Sequence, residues 1–180
     1  MEEGVSIGRE IGGWSAAEVL GELGVIMHAQ GDHSGAQVAL IEALDAEREF
    51  GNRPGIGKML LALGVLSHDM GDVTTAKARL KEALTIMGTG NANIMLDVLE
   101  AFAGLSLELA RPIEGARLWG CAQRHRQELG ILPDFHQRLR CERHVAAARE
   151  VLRDDAAFDL AWNEGRSWSS DDALRHVLNA

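Results

Sequence analysis

The segment Leu20–Leu44 reads LGELGVIMHAQGDHSGAQVALIEAL, and 40 residues later Leu60–Leu84 reads LLALGVLSHDMGDVTTAKARLKEAL. Twelve of these 25 aligned positions are identical, whereas chance at average residue usage gives roughly two identities over about 35 positions. The identities in the first copy are Leu20, Leu23, Gly24, Val25, His28, Gly31, Asp32, Ala36, Leu40, Glu42, Ala43 and Leu44. The chain therefore contains an internal repeat with a period of 40 residues.

Each repeat is predicted to be a pair of helices, because its apolar residues recur at intervals of three and four. Gly31 stands where the first helix ends, and Asp32 stands where a side chain can cap the second helix. Gly71 repeats this arrangement together with Asp72. The turn chemistry thus predicts antiparallel helix hairpins.

A third, weaker copy keeps Gly104 and Ala116 in register and has Pro112 at the start of its second helix. Beyond it, Asp134 is predicted to begin a long helix, and Ser169 a short final one. We therefore expect a single domain over residues 1–180, with repeats at about 14–53, 54–93 and 94–133 and a helical cap at 134–180.

The amino-acid composition and the net charge argue against several fold classes and functions. The chain has 180 residues, a net charge of -9, 46% apolar residues, 4% aromatic residues and no Tyr. Few aromatics argue against a β-sandwich or barrel, and the acidic charge disfavours nonspecific binding to nucleic acid. Without a signal-peptide pattern or a long apolar run, and with only two Cys, the chain is expected to be cytoplasmic with reduced thiols.

The spacing within each repeat resembles the tetratricopeptide signature, with Leu-Gly on the first helix and spaced alanines around a bulky residue on the second. The matching residues are Leu23, Gly24, Met27, Ala36, Leu40 and Ala43 in one copy, and Leu63, Gly64, Ala76, Leu80 and Ala83 in the next. The chain departs from that signature in having Leu20 and Leu60 where Trp is common, a longer period and no closing Pro. The resemblance implies an all-α, right-handed superhelix of antiparallel helix hairpins.

The C-terminal third is similar to the closing segment of large bacterial ATP-binding regulators, the LuxR-type activators and their cyclase-like relatives. The segments that carry this similarity are Gly115–Gly120, Gln127–Gly130, Leu132–Pro133, Ala146–Arg149, Phe158, Ala161–Trp162, Glu164–Arg166 and Asp172–Leu174. In such proteins tetratricopeptide repeats follow an NTPase core. The resemblance implies that this chain is the repeat arm of a longer regulator, with a protein-interaction or effector-sensing role.

The resemblance also implies where a partner binds, because the first helices of a tetratricopeptide superhelix line its concave groove. The groove residues it implies are Glu18, Val25, His28, Lys58, Val65, His68, Asp69, Ala101, Leu105 and Glu108. His28, His68 and Glu108 recur at 40-residue intervals and form a ladder suited to hydrogen-bonding a peptide or ligand. The alternative is that each imidazole bonds a neighbouring helix.

Catalysis is not expected, because the sequence has no phosphate-binding loop, no Gly-x-Ser-x-Gly and no His-Glu-x-x-His. We expect no cofactor, and a protein or peptide partner, including other domains of the same regulator. Neither nucleic acid nor membrane contact is expected, and a homo-oligomer is compatible with the pattern. A free-standing adaptor is the second interpretation.

A zinc protein is the third interpretation. Cys121 with His125, and Cys141 with His144, have spacings that place two ligands on one helix face. Against this interpretation, both Cys lie within helical patterns, where Cys ordinarily serves as a small apolar residue.

Overall fold

The computed structural model describes the backbone of residues 13–179 and the side chains of residues 16–179. Over these residues the chain forms nine α-helices and no strand, which confirms the predicted all-α class. The helices are α1 (Gly13–Ala29), α2 (His33–Phe50), α3 (Arg53–Asp69), α4 (Val73–Met87), α5 (Ala92–Glu108), α6 (Pro112–Leu129), α7 (Phe135–Leu152), α8 (Asp155–Gly165) and α9 (Ser170–Asn179). None of these described helices combines the length and apolar character needed to cross a bilayer.

The chain divides between Met87 and Gly88 into two compact units. In the described residues the first unit contains α1 to α4, and the second unit contains α5 to α9. The right-handed superhelix and the single repeat domain over residues 1–180 stay predictions.

The predicted turns are present at the ends of the hairpin helices. Gly31 and Gly71 adopt φ values of +85° and +80°, a conformation that L side chains rarely adopt. Asp32 then accepts a hydrogen bond from the Gly35 amide at 2.9 Å, and Asp72 accepts one from the Thr75 amide at 3.0 Å. These bonds satisfy amides that the helix itself leaves unpaired, so both second helices begin where the sequence predicts.

The two hairpins of the first unit repeat the same internal contacts. A Cβ at Gly24 would lie 2.7 Å from Leu40 Cγ and 3.3 Å from the Ala36 carbonyl oxygen. A Cβ at Gly64 would lie 2.8 Å from Leu80 Cδ2 and 3.5 Å from the Ala76 carbonyl oxygen. Each of these residues has its counterpart 40 positions away, so the sequence repeat is also a repeat of packing.

In the second unit α6 packs against each of the other four helices. Its core contains Phe102, Trp119 and Phe158, none more than 1% exposed. Asp134 caps α7 in a capping box with Gln137. Ser169 and Asp172 exchange hydrogen bonds at the start of α9, so the predicted starts of both helices are confirmed.

Helices α6 and α8 of the second unit approach each other closely enough for backbone contact. A Cβ at Gly120 would collide with the backbone carbonyl of Trp162, and a Cβ at Gly165 would collide with the backbone carbonyl of Arg117. The two glycines therefore let the two helix backbones touch.

Candidate functional site

In the first unit the structure brings four of the ten predicted groove residues together in pairs. Glu18 Oε1 on α1 lies 3.6 Å from Lys58 Nζ on α3, and His28 Nε2 on α1 lies 2.9 Å from Asp69 Oδ2 on α3. The first pair lies near the start of both helices and the second pair near the end of both. Helices α1 and α3 therefore run side by side in the same direction. The first helices of the two repeats are thus neighbours.

Accessibility differs among the predicted residues of this face. Glu18, Lys58 and Asp69 are exposed, and Val25 is 44% exposed. Val65, its counterpart on α3, is buried. The His28 side chain is only 17% exposed, and its Nε2 pairs with Asp69 on the neighbouring helix. His28 thus fits the alternative interpretation, in which the imidazole bonds a neighbouring helix.

The three predicted groove residues of the second unit are placed differently. Ala101 and Leu105 lie in its interior, and of the three only Glu108 is exposed. Helices α6 and α7 pack on α5, and the His144 ring lies where a Cβ on Gly104 would project. The groove as a whole stays a prediction.

The two Cys–His pairs contact different neighbours. Cys121 Sγ lies 3.8 Å and His125 Nε2 lies 3.3 Å from the carbonyl oxygen of Trp168. Cys141 lines a cavity between α6 and α7, and His144 packs against α5. Among the described residues no three His, Cys, Asp or Glu side chains are grouped to hold a metal ion, so the structure does not bring the pairs together.

The thiols are also poor ligands. Burial raises the pKa of Cys121 to about 11 and that of Cys141 to about 12. Zinc binds the thiolate, so near neutral pH it would have to displace the proton from each buried sulfur, which weakens its binding.

Adding a chelator such as EDTA is therefore expected to leave helicity and melting temperature unchanged. Structural zinc contributes much of the folding free energy of a small metal-dependent domain. Circular dichroism melts with and without the chelator measure the effect, and a cooperative loss of helix would restore the zinc interpretation.

The second unit contains a buried ionic group that the sequence did not predict, which we call the Arg126 cluster: Arg126, Asp97 and Glu100. Arg126 Nε donates to Glu100 Oε1 at 2.7 Å, and Arg126 Nη2 donates to Asp97 Oδ1 at 2.5 Å and to Glu100 Oε2 at 3.1 Å. The Arg126 side chain is 7% exposed. The cluster ties α5 to the last turn of α6.

Burial raises the pKa of both Asp97 and Glu100, even though the neighbouring Arg126 guanidinium acts in the opposite direction. The interior thus disfavours the charge on each carboxylate, and Arg126 offsets only part of that cost. A sequence signal existed, because Asp97 and Glu100 are acids three residues apart on a helix that is otherwise almost entirely apolar.

A cavity of about 510 Å³ lies beside this cluster. Its walls are mostly apolar and come from α6, α7, α8 and the α6–α7 turn. They include Trp119, Ile131, Leu132, Pro133, Val145 and Trp162. Its polar groups include Arg126, Glu100 and the Cys141 thiol. The cavity is therefore largely apolar, with part of the Arg126 cluster forming one side.

A second cavity, of about 710 Å³, has a charged lining that includes Arg111, Glu114, Arg175 and His176. Arg111 Nη1 and His176 Nε2 lie 3.5 and 3.1 Å from the two carboxylate oxygens of Glu114. Its two arginines thus already pair with Glu114 and Asp172, which makes it the weaker candidate for a ligand.

Comparison with known proteins finds relatives that match only part of this chain. No protein-family model and no solved structure matches the chain. Matching curated proteins, each named "Putative HTH-type transcriptional regulator", come from Mycobacterium tuberculosis and Mycobacterium bovis and are 35% identical over 83 residues. The match covers 46% of this chain and 9% of each relative. Part of this all-helical chain is therefore similar to a small part of a much longer regulator.

Proposed function

We propose that this chain is a non-catalytic helical-repeat arm of a bacterial transcriptional regulator, and that it binds a protein or peptide partner along the α1–α3 face. We define this face by Glu18, Val25, Lys58 and Asp69. The observation that carries the proposal is the parallel contact of the two equivalent helices, which places Glu18 opposite Lys58 and His28 opposite Asp69.

The chemistry of this face suits a polypeptide. Its exposed ion pair Glu18–Lys58 offers both an acceptor and a donor, and Val25 adds an apolar contact between the polar positions. Exposed pairs of this kind contribute little to folding, so a partner can rearrange them at low cost. The similarity to proteins named as transcriptional regulators supports a role within such a regulator. The tetratricopeptide-like superhelix is part of the proposal.

The exposed side of α1 supports a role within a longer repeat array. On α3, Met59 and Leu66 are buried, and Met59 packs against Gly21 of α1. Their counterparts 40 residues earlier, Val19 and Ile26, are 61% and 52% exposed. We propose that a further hairpin of the same polypeptide stacks here, as α1 stacks on α3.

Leu66→Ala is expected to lower the free energy of unfolding of the first unit by about 2–3 kcal/mol, because it opens a cavity in a packed interface. The equivalent change Ile26→Ala is expected to cost less than about 0.5 kcal/mol, because its side chain is half in solvent. Urea unfolding followed by circular dichroism compares them. Similar losses would contradict the assignment of Ile26 to an open stacking face.

The partner face is tested by photocrosslinking in the source organism. A photoreactive amino acid replaces Val25 on α1 in one strain and Val38, which is 67% exposed on α2, in the other. We expect a discrete crosslinked partner from position 25, a much lower yield from position 38, and loss of the adduct when Lys58→Ala is added.

Equal crosslinking from both positions, or an adduct that Lys58→Ala leaves unchanged, would contradict this face. The mass of the adduct and of the natural polypeptide also distinguishes the two interpretations, the repeat arm of a longer regulator and the free-standing adaptor. A polypeptide several times 19.5 kDa supports the regulator arm, and one near that mass supports the free-standing adaptor.

A further inference from the structure

The cavity beside the Arg126 cluster has the size and lining of a small-molecule site. Its volume of about 510 Å³ lies within the range of about 300–1,000 Å³ that is usual for ligand pockets. Two indole rings, Trp119 and Trp162, and the aliphatic side chains of Ile131 and Val145 form much of its wall. Such a lining favours an apolar body with flat or aromatic parts.

The cavity also has a specific polar group. Arg126 lines it and is 7% exposed, and its Nε and Nη2 atoms are committed to Glu100 and Asp97. Within the described residues Nη1 makes no hydrogen bond. Nη1 is not among the buried atoms that lack a hydrogen-bond partner, so it is accessible to solvent, and an acceptor in the cavity would replace the water that solvates it.

The neighbouring charges determine which acceptor fits. A cationic ligand would face the guanidinium of Arg126. An anionic ligand would lie beside two carboxylates that already contact that guanidinium at 2.5–3.1 Å. Arg138 and Glu142 also line the cavity, so its two arginines and two glutamates balance in formal charge. The apolar walls disfavour a charged ligand of either sign, so a neutral oxygen is the acceptor that fits.

We propose that this cavity binds a neutral, largely apolar small molecule whose carbonyl or hydroxyl oxygen accepts a hydrogen bond from Arg126 Nη1. The inference deepens the proposed function, since such a molecule would be an effector sensed by the regulator arm. The binding test below does not depend on that role: its failure leaves the α1–α3 partner face intact, and failure of the crosslinking test leaves the cavity intact.

The test uses matched pairs of probes that differ in the oxygen. Coumarin, benzophenone and flavone carry a carbonyl group, and naphthalene, diphenylmethane and 2-phenylnaphthalene are their oxygen-free counterparts. Binding to the purified chain is followed by tryptophan fluorescence and by two-dimensional NMR. We expect at least one carbonyl probe to bind at least fivefold more tightly than its counterpart, as one charge-assisted hydrogen bond allows.

Two variants of α7 locate the site. Val145 lines the cavity, so Val145→Trp is expected to fill it and to weaken probe binding at least tenfold. Val151, on the same helix, is 65% exposed and does not line the cavity. Val151→Trp is the control and is expected to change binding less than twofold.

The proposal is overturned if no carbonyl probe binds, if the oxygen-free probes bind equally well, or if both variants bind like the original chain. Should Val145→Trp not fold, NMR of the original chain decides between the outcomes. Probe-induced shifts at the Val145 methyls and the Trp119 indole support the site, and shifts confined to Val151 or other exposed residues refute it.

Discussion

Gly165→Ala is expected to lower the free energy of unfolding of the second unit by about 3 kcal/mol or more, the upper end of the cost of overpacking. The added methyl group would collide with the Arg117 carbonyl oxygen, carbon and Cα. These are backbone atoms of α6, so no side-chain rotation relieves the collision and the two helices must separate. Urea unfolding followed by tryptophan fluorescence measures the change, because Trp119, Trp162 and Trp168 all lie in this unit.

Gly64→Ala is the matched control in the first unit, and its urea unfolding is followed by circular dichroism. Its methyl group would lie 2.8 Å from Leu80 Cδ2 and 2.9 Å from Leu80 Cγ, so a side chain must shift and not a helix backbone. The better helix propensity of alanine, worth about 1 kcal/mol, offsets much of that crowding, so the net change is expected to be small. Equal losses for the two variants would contradict the close backbone contact of α6 and α8.

The hairpin boundaries could be predicted from sequence because local chemistry determines them. Gly31 and Gly71 supply the positive φ, and Asp32 and Asp72 supply the cap. In the third copy Ala110 adopts φ of +56° and Pro112 begins α6, so different residues produce the same turn. These signals act within a few residues and do not depend on the rest of the fold.

The third hairpin shows where the repeat stops predicting contacts. Leu40 and Leu80 pack on Gly24 and Gly64, but the equivalent position 120 is a glycine. With no leucine there, the His144 ring from α7 covers Gly104, and Gly120 instead receives the backbone of α8. The change from Leu to Gly at one repeat position was visible in the sequence, but its new neighbour depends on the whole unit.

The two acids of the Arg126 cluster were visible in the sequence, but their pairing with Arg126 and the cavity beside them could not be predicted, because both depend on the whole unit. The pairing of Arg126 with Asp97 and Glu100 spans 29 and 26 positions, and no short motif joins these residues. The spacings of Cys121 with His125 and of Cys141 with His144 left zinc as a third interpretation, because spacing alone does not say whether two such pairs meet. The structure instead places Cys121 near the Trp168 carbonyl and Cys141 at the cavity.

Arg126→Met is expected to lower the free energy of unfolding of the second unit by about 3–5 kcal/mol near neutral pH, the usual result of removing one partner from a buried ion pair. Methionine keeps most of the side-chain volume, so the loss reports chiefly the carboxylates of Asp97 and Glu100, which are 26% and 12% exposed and remain without their cation. Urea unfolding of both proteins at about pH 7.5 measures it.

The loss is expected to shrink as the pH falls. Burial already raises the pKa of Asp97 and Glu100 in the folded chain, and removal of Arg126 raises it further. The folded variant then holds protons that the unfolded chain releases above about pH 4, the ordinary range for Asp and Glu. Its stability therefore falls as the pH rises from the unfolded pKa to the folded one.

Repeating the urea unfolding at about pH 4.5 tests this, since protonated Asp97 and Glu100 no longer require the guanidinium. Arg175→Met is the control, because Arg175 is 71% exposed and its pair with Asp172 is open to solvent, so little change is expected at either pH. A loss for Arg126→Met that stays constant between the two pH values would show that Arg126 acts through packing and not through its charge. The acids of the cluster would then not be held in the interior by that cation.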